Sequence, residues 1–196
     1  RPKTKATSPP IQIEAAIMEG VMLEAPGVTS ESVMLAFYPD GDLAAKVAVP
    51  GGEKVRDLHM TVAYLGKDIF GEDRDAEVER LEDTVRGWAA VTPPITGEVS
   101  GWGRFVGGDD GDVTYLSLDL PGLPGRREAL VDMLRRAGFP ASERHGFTPH
   151  MTLAYGDSAD VERPANTKLR FEEIYLVIGN TNRTAFTLQG RRQGDS

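Results

Sequence analysis

The sequence HMTVAYLG at residues 59–66 recurs as HMTLAYG at residues 150–156. Five of the first six positions are identical, and the chain holds one such pair rather than a long array of repeats. Only three histidines occur in the chain, and two of them begin these stretches, each followed two residues later by threonine. A lone histidine is usually an ordinary core or surface residue. A duplicated His-x-Thr with duplicated neighbours instead predicts two related strands that carry chemistry.

Both stretches are short apolar runs of the kind that form buried strands. Side chains in a strand alternate between the two faces of its sheet. Alternation therefore puts His59 and Thr61 on one face, with Ala63, and the same holds for the second stretch. It assigns Tyr64 and Tyr155 to the opposite face and to the core.

Apolar periodicity and turn residues predict the remaining elements. The predicted strands cover residues 33–38, 58–65, 95–106, 113–120, 147–155, 169–178 and 185–188. The predicted helices cover residues 43–47, 75–90 and 124–137. This order predicts an α+β fold in which helices lie on antiparallel sheets.

Composition excludes several classes of protein. The 196 residues include no cysteine, which rules out disulfides, thiolate nucleophiles and cysteine-based zinc sites. A formal net charge of −8 argues against coating of long nucleic acid through a broad basic face. No apolar run approaches the roughly 18 residues of a membrane helix, and no signal peptide is recognisable. We therefore expect a globular, cytoplasmic protein.

The two motifs, HMTVAYLG and TPHMTLAY, resemble the two signatures of the 2H phosphoesterase superfamily, which includes bacterial RNA 2′,5′-ligases and cyclic phosphodiesterases. The resemblance covers about residues 32–190. It implies two pseudo-symmetric lobes of antiparallel sheet with helices on the outer faces, and a central groove across which the motifs face each other. We expect a Pro-marked N-terminal arm or linker at residues 1–30, the bilobal domain at 31–190 and a polar tail at 191–196.

Phosphodiester cleavage needs a base for the attacking oxygen, an acid for the leaving oxygen, and donors to the phosphoryl oxygens. Imidazole titrates near neutrality, so His59 and His150 can serve as a base and acid pair. Thr61 and Thr152 lie on the same faces and can donate hydrogen bonds to the non-bridging oxygens. The chain has no His-Glu-x-x-His motif, so we predict that the chemistry needs neither metal nor cofactor.

Further candidates rest on residue type alone. Aromatic side chains that can stack on a base, with core packing as the alternative, are Phe37, Tyr38, Trp102 and Phe105. Basic side chains that can contact phosphate or ribose, with an ordinary surface charge as the alternative, are Lys67, Arg104 and Arg144. His145, which has no matching threonine, is interpreted as a loop residue, and the acidic cluster at residues 109–112 as a turn rather than a calcium loop.

The leading interpretation is a phosphodiesterase that opens a cyclic phosphate or cuts a 2′,5′ or 3′,5′ linkage. Its substrate is a small nucleotide, a cyclic oligonucleotide or an RNA end. Members of the resembling superfamily act on 2′,3′-cyclic RNA termini, on ADP-ribose cyclic phosphate and, in some phage proteins, on cyclic oligonucleotide immune signals. The alternatives are a nucleotide-binding module that sequesters its ligand, and an RNA 2′,5′-ligase. The sequence does not fix the oligomeric state.

Overall fold

A computed structural model describes residues 31–108, 111–142, 147–156, 167–179 and 182–191. Within these ranges the chain forms eight strands, three helices and one 3-10 turn at Val55–Asp57. The strands are β1 Ser32–Phe37, β2 Met60–Lys67, β3 Ile95–Gly108, β4 Gly111–Asp119, β5 His150–Tyr155, β6 Lys168–Phe171, β7 Glu173–Ile178 and β8 Asn182–Thr187. The helices are α1 Gly41–Val47, α2 Arg74–Val91 and α3 Leu123–Arg136.

The strands form two four-stranded antiparallel sheets. Sheet 1 has the order β2-β1-β7-β8, and sheet 2 has the order β5-β4-β3-β6. Each His-x-Thr motif lies on the first strand of its sheet, and these two strands, β2 and β5, contact each other. The predicted α+β fold with two lobes is confirmed, and in each sheet the motif strand pairs with the strand that precedes it in the chain.

The single strand predicted at residues 169–178 is wrong. The chain leaves sheet 2 after Phe171, passes Glu172 and enters sheet 1 with β7. The buried positions reveal the break, because they are odd-numbered in β6 and even-numbered at the start of β7, as at Ile174 and Leu176. One strand cannot bury both sets on one face, so the change of phase marks two strands.

Helices α2 and α3 confirm the two longer predicted helices. Helix α2 buries a stripe at helical spacing, begins with acidic residues in its first turn and ends just before Pro93. The indole nitrogen of Trp88 donates to the carbonyl oxygen of Arg126 at 2.9 Å, which joins α2 to α3. Helix α3 carries a proline in its first turn, and Gly138 follows its end with a φ of 93°. Helix α2 also packs on β7 and β8 of sheet 1.

The two sheets share one hydrophobic core. Phe37 of β1 stacks on Phe171 of β6, with ring centroids 5.0 Å apart and planes 10° from parallel. Both rings are fully buried, and the surrounding core includes residues from both sheets and all three helices. The lobes therefore stabilise each other, and the edges that carry the motifs are held at a fixed separation.

Four predictions fall on other parts of the chain. These concern the arm at residues 1–30, the tail at 191–196 except Arg191, the binding candidate Arg144 and the loop residue His145, all of which lie outside the described residues. Within the described ranges, no helix is long and apolar enough to span a membrane. The cytoplasmic location stays a prediction.

Candidate active site

Both motif histidines are held in the same way by the backbone just before them. The Nδ1 of His59 donates to the carbonyl oxygen of Asp57 at 2.7 Å, and the Nδ1 of His150 donates to the carbonyl oxygen of Thr148 at 2.9 Å. A carbonyl oxygen can only accept, so each bond requires the proton to be on Nδ1 in the neutral ring. The Nε2 atom of each imidazole is therefore the one left to exchange a proton with a substrate.

A β-bulge follows each threonine. In β2, Thr61 pairs with Ala36 and Ala63 pairs with Leu35, so Val62 is the extra residue. In β5, Thr152 pairs with Tyr115 and Ala154 pairs with Thr114. Leu153 is the extra residue there, and the internal repeat thus extends to a repeated backbone irregularity.

The bulges overturn the prediction that the two repeated tyrosines lie opposite the histidines. Tyr64 pairs with Met34, which shares a face of β1 with Ala36, the partner of Thr61. Tyr155 likewise pairs with Val113, which lies on the same face of β4 as Tyr115, the partner of Thr152. Simple alternation fails because one extra residue moves every later side chain to the other face.

The facing edges of β2 and β5 are covered by other groups. The carbonyl oxygen of Val62 accepts from Nε of Arg127 at 2.7 Å, and that of Leu153 accepts from the backbone N–H of Glu53 at 2.8 Å. The carbonyl oxygen of Tyr64 accepts from the N–H of Ser142 at 2.8 Å. Both bulge carbonyls thus have a donor from elsewhere in the chain, which blocks edge-to-edge pairing of the motif strands.

Aromatic rings and one arginine surround His59. The ring of Tyr38 lies 5.6 Å from the imidazole between centroids and packs edge-on against Tyr175 at 5.1 Å. Tyr175 pairs with Ala36, so it lies in the same cross-strand row as Thr61. The guanidinium of Arg183, on β8, lies 4.3 Å above the Tyr38 ring.

His150 also has an aromatic pair beside it. The edge of Tyr115 meets the imidazole at 5.9 Å, and Phe105 stacks on Tyr115 at 4.3 Å. Tyr115 pairs with Thr152 on one side and with Gly103 on the other. Each sheet thus contributes one tyrosine to the row of its threonine.

The other predicted binding residues lie elsewhere. Phe37 is a core residue, which is one of the two interpretations the sequence left open. Trp102 and Arg104 pair with Leu116 and Thr114, so they lie on the face of sheet 2 opposite Tyr115. Arg104 forms an ion pair with Asp112 at 3.1 Å.

Lys67 is the last residue of β2, where it pairs with Ser32, well beyond the histidine end of the strand. Of the predicted candidates within the described ranges, Tyr38 packs directly against His59. Phe105 stacks on Tyr115, and Tyr115 in turn packs against His150. Arg183, Tyr175 and Tyr115 were not predicted. No motif or repeat marks them, because their positions come from sheet register.

Burial lowers the pKa of both histidines. At His59 the hydrogen bond to the Asp57 carbonyl raises the pKa, the charges of Arg183 and His150 lower it, and the Asp57 carboxylate raises it. A positive charge on His150 therefore opposes protonation of His59. Burial and a hydrogen bond to Glu173 raise the pKa of Tyr175 to about 12, so this phenol stays protonated.

Across the described ranges, no three histidine, aspartate or glutamate side chains gather into a group that could hold a metal ion. The expectation of a metal-independent reaction stays a prediction. Each anchored imidazole has a threonine hydroxyl two residues further on, on the same face of its edge strand. Two such pairs on neighbouring strands are suited to proton transfer on both sides of one phosphoryl group.

Residues 44–182 match the family model of the 2′-5′ RNA ligase superfamily, which is more than half of the chain. The chain belongs to this superfamily. The predicted membership in the 2H phosphoesterase superfamily is thereby confirmed, and it supports a phosphoesterase or RNA-ligase-like activity. No curated protein sequence matches the chain significantly.

Several solved structures share the fold. TT0787 of Thermus thermophilus is 19% identical, with a TM-score of 0.62 over 82% of this chain and 100% of that chain. E. coli LigT in complex with 3′-AMP is 20% identical, with a TM-score of 0.58 over 81% and 96%. Kluyveromyces marxianus Usb1 is 14% identical, with a TM-score of 0.50 over 81% and 98%. LigT has also been crystallised with phosphate, ATP and NADP+.

Proposed function

We propose that this superfamily member is a metal-independent phosphodiesterase that hydrolyses a cyclic phosphate, or a 2′,5′ or 3′,5′ linkage, in a nucleotide or at an RNA end. The observation that carries the proposal is the matched anchoring of His59 and His150. Each Nδ1 is fixed to the carbonyl two residues earlier, which leaves both Nε2 atoms for the substrate. Binding alone has no need of two such titrating groups.

In the proposed reaction the phosphoryl group lies between the two edge strands. The neutral imidazole takes a proton from water through Nε2 while the water oxygen attacks phosphorus. The protonated imidazole gives its Nε2 proton to the oxygen that leaves, which becomes the free ribose hydroxyl. Thr61 and Thr152 donate hydrogen bonds to the non-bridging oxygens, where negative charge builds up in the transition state.

Two observations support a nucleotide as the substrate. Tyr38 and Tyr115 flank the two histidines and offer rings near the reacting phosphate. LigT, which shares the fold, has been crystallised with 3′-AMP, ATP and NADP+. The net charge of −8 favours a small substrate or a single RNA end over long RNA.

RNA 2′,5′-ligation is the second candidate, favoured by the near-equivalence of the two histidines and by the family to which the chain belongs. In ligation a 5′-hydroxyl takes the place of water: it loses its proton to the neutral imidazole and attacks the phosphorus of the 2′,3′-cyclic phosphate, and the protonated imidazole gives its proton to the 3′ oxygen that leaves. Joining of two RNA fragments, one with a 2′,3′-cyclic phosphate and one with a 5′-hydroxyl, would reveal it.

The test is turnover in EDTA against 2′,3′-cyclic nucleotides, 2′,5′-linked dinucleotides and cyclic oligonucleotides. His59→Ala and His150→Ala should each lose activity on the substrate that the wild type cleaves. His145→Ala, which changes the one histidine outside both motifs, is the matched control and should keep it. Absence of turnover on every substrate, with nucleotide binding retained by all four proteins, would contradict the phosphodiesterase function and favour the nucleotide-binding module.

A further inference from the structure

Arg183 contacts the turn that carries His59 at two points. Its Nη1 donates to the carbonyl oxygen of Arg56 at 2.8 Å, and its Nη2 donates to Oδ1 of Asp57 at 2.9 Å. Both acceptors belong to the 3-10 turn at Val55–Asp57. Arg183 lies on β8, more than a hundred residues further along the chain, so it fixes this turn to the far strand of sheet 1.

Asp57 connects Arg183 to the imidazole. Its carboxylate accepts from Arg183, and its backbone carbonyl accepts the Nδ1 proton of His59. A second connection runs through Tyr38, whose ring contacts the Arg183 guanidinium at 4.3 Å and the His59 ring at 5.6 Å. Arg183 therefore holds both the hydrogen-bond partner and the aromatic neighbour of His59.

We propose that Arg183 is a positioning residue for His59: it fixes the Asp57 turn and the Tyr38 ring, and so keeps His59 as the neutral base of the pair. This inference rests on the proposed phosphodiesterase function. Its consequence is that the two nearly equivalent histidines have different roles in hydrolysis, with His150 as the acid.

The charges around His59 agree with this geometry. The groups that act on it are Arg183 from β8, His150 from β5 and the Asp57 carboxylate from its own turn, and the ring of Tyr38 packs against it with Tyr175 behind. When only one of the two histidines is protonated, a proton on His59 gives that ring a positive charge, which the Arg183 cation repels. Placing the proton on His150 avoids this repulsion. The Asp57 carboxylate attracts a proton to His59, but its effect is smaller than that of Arg183, so the state with neutral His59 is favoured.

The shape of arginine suits this role. A guanidinium offers a planar fork that can bond two acceptors while its face lies against an aromatic ring, and Arg183 does both. A lysine at this position would keep the charge but lose the fork. The two properties can therefore be separated by substitution.

The first experiment follows both imidazoles by NMR with 15N-labelled histidine, in the wild type, Arg183→Met and Arg183→Lys. In Arg183→Met the titration midpoint of His59 should move to higher pH, because a cation is removed and the Asp57 carboxylate remains. The His150 midpoint should move less. In Arg183→Lys the midpoint should stay near the wild-type value, while the His59 signal shows a smaller share of the Nδ1-protonated tautomer.

Arg170→Met is the matched control. Arg170 lies on β6, which ends the strand order of sheet 2 as β8 ends that of sheet 1, and its ion pair with Glu172 is exposed. Asp57→Asn gives a test with the opposite sign, because it removes a negative charge and should move the His59 midpoint to lower pH. A folded Arg183→Met protein with an unchanged His59 midpoint and tautomer would overturn the inference.

The roles are tested with a substrate that has a good leaving group, a nucleoside p-nitrophenyl phosphodiester. Such a group departs without an acid, so His150→Ala should lose about 10- to 100-fold less activity on it than on the natural type of linkage. His59→Ala should lose the same factor on both, and the opposite pattern would overturn the role assignment. If the wild type cleaves nothing, the proposed function fails, and the NMR titration still decides whether Arg183 positions His59.

For kcat/KM, Arg183→Met should lose about 10- to 100-fold, the usual size of an effect that acts through an orienting partner. The low-pH limb of its pH profile should also move to higher pH, since the base is active only when neutral. A uniform loss at every pH, with the limb unmoved, would mean that Arg183 only supports the structure.

Discussion

The ring of Tyr115 lies directly over Gly103, its cross-strand partner in sheet 2. A methyl group at Gly103 would overlap the phenol of Tyr115. The first prediction is that Gly103→Ala displaces this ring and with it the edge contact on His150. We expect a loss of about 1–3 kcal/mol in the free energy of unfolding, as in other overpacked sites, and a fall in kcat/KM.

Gly101→Ala is the matched control for that substitution. Gly101 lies two residues away on the same strand, and no atom lies near the position its methyl group would take. Chemical denaturation should show Gly101→Ala unchanged or slightly stabilised, because alanine restricts the unfolded chain. Equal destabilisation of both variants would show that the Tyr115 ring is not the cause.

The second prediction concerns the two threonine hydroxyls. Thr61→Val and Thr152→Val keep the shape of the side chain but remove the donor, so kcat should fall by about 10²- to 10³-fold with little change in KM. The Thr61 hydroxyl lies 3.8 Å from the sulfur of Met34, a weak acceptor, and so is little engaged by the protein. Thr61→Ser keeps the donor and should retain most of the activity. A change in KM alone would assign these hydroxyls to ground-state binding.

The strands that carry the catalytic candidates were easier to predict from the sequence than the surroundings of those candidates. The duplicated His-x-Thr is a local pattern, and the strands that carry it were recognisable from apolar content. The bulges at Val62 and Leu153 were not, because a bulge depends on pairing with β1 and β4. Tyr64 and Tyr155 were consequently assigned to the wrong face.

Long-range pairing explains the other differences. Arg183 meets the Asp57 turn only because β8 and the turn are brought together by sheet 1. In contrast, the division between β6 and β7 was readable, since the buried positions change phase at Glu172. The periodicity of a local segment can therefore reveal a strand break, whereas contacts between distant segments can be identified only once the fold is known.

The third prediction is the pH dependence of turnover. Burial lowers the pKa of both histidines below their usual value of about 6.5. The base becomes active as pH rises through its pKa, and the acid is lost as pH rises through its own. The maximum of kcat/KM should therefore lie on the acidic side of about 6.5. A bound phosphodiester anion favours the protonated forms of both histidines and so raises the pKa of each. The pH profile of kcat should therefore lie at higher pH than that of kcat/KM. Coincident profiles would contradict this.

The fourth prediction links the same pKa values to stability. A histidine whose pKa is lowered by folding binds protons more readily in the unfolded chain, so its contribution to stability is present above about pH 6.5. That contribution is lost as pH falls through the lower, folded-state pKa. Wild-type protein should therefore lose free energy of unfolding as the pH is lowered from neutral into the acidic range. His59→Gln/His150→Gln cannot titrate at these positions and should lose less.

Urea denaturation of both proteins at several pH values measures this difference. Other titrating groups act in both proteins and cancel in the comparison. One of them is Glu53, whose pKa burial raises and which therefore contributes in the opposite direction as pH falls. A smaller pH dependence in the double variant would show that folding favours the neutral forms of the two imidazoles, as their burial predicts. Parallel curves would mean that both rings are protonated as easily in the folded protein as in the unfolded chain.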